Sequence, residues 1–433
     1  MFLYCLLLVT SVFLGSQILA VETPIAQITL YRILALFSVL ILAWQILQKD
    51  RKLLLVLPSA STRMLFCFLA WWLIALTTGL WAENFKDWLQ VSFLMTVGMA
   101  SIVAIYFWVG TKRQWFRLAQ AMWGMMTVLV FWGYIEIIGN IYVFADMTKL
   151  DKYGTFDSQP WTRIPITFFA NQNDYATLLL AYVTLCMVLY YYSQRYWQRM
   201  FLLLMFALTT FLIYQTSSRM SLICLILFIG LQLVRNFKLD LFQGKRLYIM
   251  TAFIIFMMLI PPIREKVFEV IFLGGPQAGL SGDTKRMNIW RNGLLYLTQT
   301  FGLGVGSGNI EHWAKVRPIW PTNEITNMHN WWLEILVSNG ILSLLLYLWA
   351  YIGMIRRLEF VARVGRKTSV LQSNISFVFY SFLIIFILAS ITSANNMLIE
   401  WHWVFFALII SWVKIIDTKE QTQDFKSKRS LGI

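Results

Sequence analysis

The 433-residue chain is 59% hydrophobic and 13% charged, with a mean hydropathy of +0.64 and a formal net charge of +15. Water-soluble domains carry about 45–50% apolar and about 25% charged residues, so a soluble enzyme is excluded and an all-α polytopic membrane protein is implied. The basic excess does not imply nucleic acid, because it is confined to alternate loops.

In chain order the apolar stretches predict about twelve spans: 2–20, 25–48, 64–82, 86–108, 116–138, 167–192, 200–214, 217–234, 247–262, 330–354, 374–392 and 397–415. The first has no basic leading segment and a poor cleavage site, so it reads as a helix and not as a secretory signal. Loops 48–63, 110–115, 193–199, 235–246, 355–373 and the tail hold most of the Lys and Arg, and Arg32 alone is left inside a span. Positive loops mark the cytoplasmic side, which puts both termini there. The predicted organisation is nine spans over 1–262, a large outer loop over 263–329, three spans over 330–415 and a cytoplasmic tail over 416–433. The cysteines, Cys5, Cys67, Cys186 and Cys224, all fall in apolar spans without metal-ligand spacing.

The segments between the basic loops hold nearly all the unusual residues: 139–166, 214–220, 263–328 and 392–403. An outer loop as long as 263–328 exceeds a mere connector. Helical periodicity in "REKVFEVIF" (264–272) and "DTKRMNIWRNGLLYLTQTFG" (283–302) predicts short amphipathic helices along the outer surface. "GLGVGSGN" (302–309) does not fit a nucleotide-binding glycine pattern and reads as a tight turn.

Three features point to chemistry. In "SSRMSL" (217–222), Ser217 or Ser218 caps a helix whose first turn carries Arg219. A cation at the positive end of a helix makes sense where both face an anion; the alternative is an arginine reaching for the membrane interface. Lys285, Arg286 and Arg291 cluster beside Trp290, as a phosphate site or as a solvated basic face. In "NMHNWWLEILVSNG" (327–340), Thr326 or Asn327 caps the next span and places His329 in its first turn. The helix end disfavours imidazolium, so His329 is expected to be neutral and able to accept a proton. Asn330, Glu334 and Ser338 recur every four residues as a polar stripe entering the bilayer, while Trp331 and Trp332 read as an interfacial belt. His312 and His402 have no companions at metal-ligand spacing and no D-x-D pair occurs, so no metal or cofactor is implied.

Taken together these segments resemble the O-antigen ligase and O-antigen polymerase superfamily of bacterial envelope enzymes. "RIPITFFANQNDYA" (163–176), "SSRMSL", "DTKRMNIWRNGLLYLTQTFGLGVGSGNIE" (283–311) and "HNWWLEILVSNGILSLLLYL" (329–348) are similar, in order, to its four motifs. Gln172 stands where the family has Pro, no Gly follows Arg163, and Ser343 occupies the usual place of a second Gly. The resemblance implies a GT-C-like membrane glycosyltransferase, metal-independent and inverting, working at the outer face of the bacterial inner membrane. Its donor would be a glycan on undecaprenyl diphosphate, and its acceptor a sugar hydroxyl on a lipid A core or another lipid-linked repeat unit. His329 would be the catalytic base; Arg219, Arg286, Arg291 and Asn330 would bind substrate, with Arg163 as a secondary contact. The rival class is a transporter or flippase of lipid-linked saccharides, which keeps its polar residues near the bilayer midplane instead of the outer boundary.

Overall fold

The computed structural model describes residues 1–14, 18–23, 27–48, 59–151, 154–236, 282–322, 325–391 and 399–430. After α1 (Phe2–Ser11) come β1 (Ala20–Val21) and β2 (Ile28–Thr29), then α2 (Leu30–Leu47), α3 (Ala60–Thr77), α4 (Phe85–Trp108) and α5 (Lys112–Gly139). Next are α6 (Gln172–Tyr192), α7 (Tyr196–Gln215), α8 (Arg219–Asn236), α9 (Gly282–Gln299) and α10 (Ile310–Val316). The chain closes with α11 (Trp331–Thr368), α12 (Val370–Ala389) and α13 (Glu400–Ser430). Among the described residues nine helices, α2 to α7 and α11 to α13, are long and apolar enough to cross a membrane.

The predicted span at 2–20 is described only in part. Its helix, extended by a 3-10 turn to Leu14, is shorter than a bilayer crossing needs. An antiparallel pair follows, with Ala20 opposite Thr29, before Thr29 accepts from the Arg32 N–H and caps α2. The predicted span at 247–262 and the helix at 264–272 lie outside the described residues. At the other end, α11 runs past its predicted limit, and α13 continues through the predicted tail.

Most helix starts are written locally. Ser59, Asn84, Asn171, Asn330 and Ser369 each cap a helix with a side-chain oxygen, and Thr111 with Gln114 forms a complete capping box. The most enclosed helices are α13, which packs on α3, α4 and α5, and α6, which packs on α7 and α12. The long helix α11 is wedged between α3 and α12.

Arg32, alone inside a span, pairs with Glu400 at 2.5 Å, and both side chains are almost fully buried. A buried ion whose partner is removed costs about 3–5 kcal/mol, whereas an apolar pair of similar volume can be neutral. Arg32→Leu should therefore lower the melting temperature in detergent, and adding Glu400→Leu should recover most of the loss. Tryptophan fluorescence would follow both transitions; equal melting of wild type and single variant would remove the pair from the account of stability.

Candidate functional site

The glycine-rich segment is more than a turn: it is built into a break in α11. Gly340 has φ +86° and ψ 175°, far from helical values. A regular helix would donate the Ile341 N–H to the Val337 carbonyl. Instead Ile341 donates to the Gly302 carbonyl (2.9 Å), and Val337 accepts from the Val305 N–H (2.8 Å). Gly306 N–H satisfies the Ser338 carbonyl at 3.0 Å. The loop thus supplies the partners that the broken turn loses, as buried non-helical backbone requires.

The contact is too close for side chains. A Cβ on Gly304 would lie 2.6 Å from the Gly340 nitrogen, and one on Gly340 would lie 2.5 Å from the Leu303 carbonyl oxygen. Further bonds hold the loop to the C-terminal end of α3, the N-terminal end of α4 and α11 itself. Ser307 N–H donates to Thr78 Oγ1 (3.0 Å), Trp81 Nε1 to the Gly304 carbonyl (2.8 Å), and Asn339 Nδ2 to Ser307 Oγ (2.6 Å). The Asn84 N–H donates to Asn309 Oδ1 at 2.7 Å.

The segment returning to α11 hangs on one face of α9. Asn288 Nδ2 donates to the Pro321 carbonyl (2.8 Å), Asn292 Nδ2 to that of Trp320 (2.9 Å), and Tyr296 Oη to that of Arg317 (2.9 Å). These residues are four apart and so share a face. Trp290 Nε1 donates to the Met328 carbonyl at 2.9 Å and fixes the residue beside His329.

His329 stands just before α11, not in its first turn, and adopts φ +46°. The cap is Asn330, whose side chain accepts from the Trp332 and Leu333 N–H groups at 3.1 and 3.3 Å; neither Thr326 nor Asn327 takes that place. Burial first, and the Arg286 guanidinium second, push the His329 pKa down to about 4. The imidazole is therefore neutral at pH 7, and its Nδ1 has no hydrogen-bond partner among the described residues. Trp331 is buried, not interfacial: it sits edge-on to Trp71 at 6.0 Å and Tyr347 at 5.8 Å, and donates its backbone N–H to the Ser390 carbonyl.

Arg219 begins α8, after Ser217 at φ +56°, and is exposed. Cys224 Sγ, five residues on, contacts the Ile385 carbonyl of α12 at 3.4 Å. Five residues further along α12 is Ser390, which accepts from Trp331. Because α8 and α12 run in opposite directions, Arg219 and His329 both stand at the C-terminal end of α12. Neither Arg219 nor Arg286 pairs with a carboxylate among the described residues.

Arg163 is engaged by its own scaffold. Its guanidinium donates to the carbonyls of Phe156, Ile137 and Ile138 and so closes the C-terminus of α5. Glu136, a residue the sequence did not single out, accepts from the Ile166 and Thr167 N–H groups at 2.9 Å each. Gln215 Nε2 donates to the Trp161 and Arg163 carbonyls, tying this loop to the turn before Arg219. Arg291 lies over the Trp320 ring at 5.3 Å. It is about 140° around α9 from Arg286, so the two do not share a face.

Of the predicted stripe, Asn330 is used as a cap, while Glu334 and Ser338 line a cavity of about 430 Å³. Asp87, Gln90, Glu311 and Lys315 line the other walls, and Asn327 and Met328 lead from it to His329. Ser338 is only 2% exposed. This end of the bundle thus divides its charge, with the Arg219 and Arg286 guanidinium groups free of carboxylate partners among the described residues and a carboxylate-rich cavity past Met328.

A family model described as O-antigen ligase matches residues 204–348, which hold Arg219, Arg286 and His329. The chain is similar to the O-antigen ligase and polymerase superfamily. The teichuronic acid biosynthesis protein TuaE of Bacillus subtilis (strain 168) is 24% identical over 451 residues, covering 96% of this chain and 84% of that protein. The superfamily match thus spans the interlocked loop, the break at Gly340 and the guanidinium groups of Arg219 and Arg286.

Proposed function

We propose that this protein elongates or attaches a cell-surface polysaccharide, moving a glycan from undecaprenyl diphosphate to a sugar hydroxyl at the outer face of the cytoplasmic membrane. The observation that carries this reading is a half-buried, neutral His329 under the influence of the Arg286 guanidinium at the start of a broken membrane helix. The O-antigen ligase match and the likeness to a teichuronic acid biosynthesis protein support a role in surface glycan assembly.

Arg219 and Arg286 hold the diphosphate and stabilise the charge that grows on it as the anomeric C–O bond breaks. The acceptor occupies the polar cavity, where carboxylates accept from sugar hydroxyls and would repel a second diphosphate. Its attacking oxygen bonds to the anomeric carbon from the opposite side, inverting it, and its proton passes to His329. A base held near pKa 4 is weak, but its depression comes partly from Arg286. Bound diphosphate offsets that guanidinium and raises the basicity of His329, so donor binding prepares the base. The acceptor, whether polymer end or terminal anchor, presents the same hydroxyl to the site.

Purified protein in liposomes, given lipid-linked donor and acceptor glycan, should release undecaprenyl diphosphate in step with the appearance of joined glycan. Arg286→Ala should lower that rate by about 10²-fold or more, the scale of a lost transition-state contact. Movement of the lipid-linked glycan across the bilayer with no diphosphate released would favour a flippase instead.

A further inference from the structure

At the end of the bundle opposite His329, a cleft of about 530 Å³ opens between α3 and α11. The ends are distinguished along α3 itself: Thr78 binds the glycine-rich loop at Ser307, whereas the Ser61 N–H binds Asp417 of α13 at 3.1 Å. The outward ridge of α11 runs Leu342, Leu345, Trp349, Ile352, Arg356 and Phe360, each exposed and three or four residues from the last. A ridge of this spacing faces lipid along its apolar part. It turns cationic at Arg356, about 10 Å beyond Trp349 along the helix. Across the cleft α3 presents Arg63, whose guanidinium lies 6.0 Å from the Trp349 ring centre.

The charges here are unevenly satisfied. Arg357 is committed to Asp417 at 2.8 Å, and Glu359 to Arg363. Arg63 and Arg356 have no carboxylate partner among the described residues. Two guanidinium groups without carboxylate partners among the described residues therefore stand at one end of a mostly apolar cleft. Guanidinium groups match phosphate oxygens, and basic clefts between membrane helices suit anionic headgroups.

We propose that this cleft is a binding site for an anionic phospholipid, its phosphate between Arg63 and Arg356 and an acyl chain along Trp349 and Ile352. A free phosphate ion would leave the apolar wall unused. The lipid bridges α3 and α11, the two helices whose far ends hold the glycine loop. This site is separate from the glycan reading and does not depend on it.

Native mass spectrometry of the full chain in detergent, with phosphatidylglycerol or phosphatidylcholine added in equal amounts, reads occupancy directly. Phosphatidylglycerol should be retained preferentially. Arg63→Gln with Arg356→Gln should weaken its binding about ten- to thirty-fold, the attraction of two cations for an anionic headgroup. Arg113→Gln with Arg117→Gln removes equal charge from exposed positions at the same end of the bundle and should leave retention unchanged. Excess inorganic phosphate should not displace the lipid. Equal retention of both lipids by the wild type, equal loss in both double variants, or displacement by phosphate would each overturn the site.

Discussion

His329→Gln is expected to lower glycan transfer by about 10²–10⁴-fold, the usual contribution of a positioned base, while donor binding persists through Arg219 and Arg286. The pH dependence tests the pairing more sharply. The neutral imidazole is the active form, so activity is lost as pH falls through the His329 pKa. In the free protein that value is about 4, so kcat/KM should be flat near neutral pH and fall only in strong acid. Diphosphate beside Arg286 should raise the pKa in the complex, moving the acid limb of kcat to higher pH. Arg286→Gln removes the neighbouring cation, so the acid limb of kcat/KM should also move upward, toward the ordinary histidine value of about 6.5. Unmoved limbs in that variant would separate His329 from Arg286 and end the proposed division of labour. Stability follows the same sign. A folded pKa below the unfolded one means the unfolded chain takes up the proton first, so stability from this group is complete above about pH 6.5 and declines toward pH 4.

Much of the architecture was legible because membrane spans are written in composition. Nearly every predicted span with described residues has its helix, since twenty apolar residues leave the backbone no other way to satisfy itself. The span at 2–20, described in part, is followed by a strand pair, which hydropathy cannot register. At the site, residue types and motif order pointed to Arg286 and His329, and the structure brings those two within electrostatic reach. Their surroundings were hidden, because they depend on partners far away in sequence. Asn330 outcompetes Thr326 and Asn327 as the cap because the returning segment is tied to α9 as far as Met328. Trp331 is drawn from the interface into an aromatic cluster assembled from α3, α11 and α13. Arg163 meets the carbonyl end of α5, 26 residues earlier, a local demand that its motif does not disclose. Glu136 had no visible motif at all; its signal was a lone carboxylate near the end of an apolar span, which calls for a buried partner.

The second large effect concerns Gly304 and Gly340, whose spacing in two motifs had no separate explanation until the loop was seen inside the helix break. Both residues have positive φ, +85° and +86°, and each faces backbone atoms of the other segment. Backbone cannot swing aside as a side-chain tip can, so Gly340→Ala must either strain a left-handed alanine against Leu303 or expel the loop. Strain of this kind costs about 1–3 kcal/mol before the clash is counted, and loss of loop bonds would leave the Val337 and Ser338 carbonyls unpaired. Gly340→Ala and Gly304→Ala should each lower the melting temperature in detergent, expose the 302–309 segment to protease and abolish transfer, although neither touches a reacting group. Gly124→Ala is the matched control: it lies within α5, nothing surrounds its Cβ position, and alanine favours a helix by up to about 1 kcal/mol over glycine. That variant should melt no lower than the wild type. If Gly304→Ala and Gly340→Ala behaved like Gly124→Ala, the loop would not be what holds the first turns of α11 in place. The position of His329 would then need another cause.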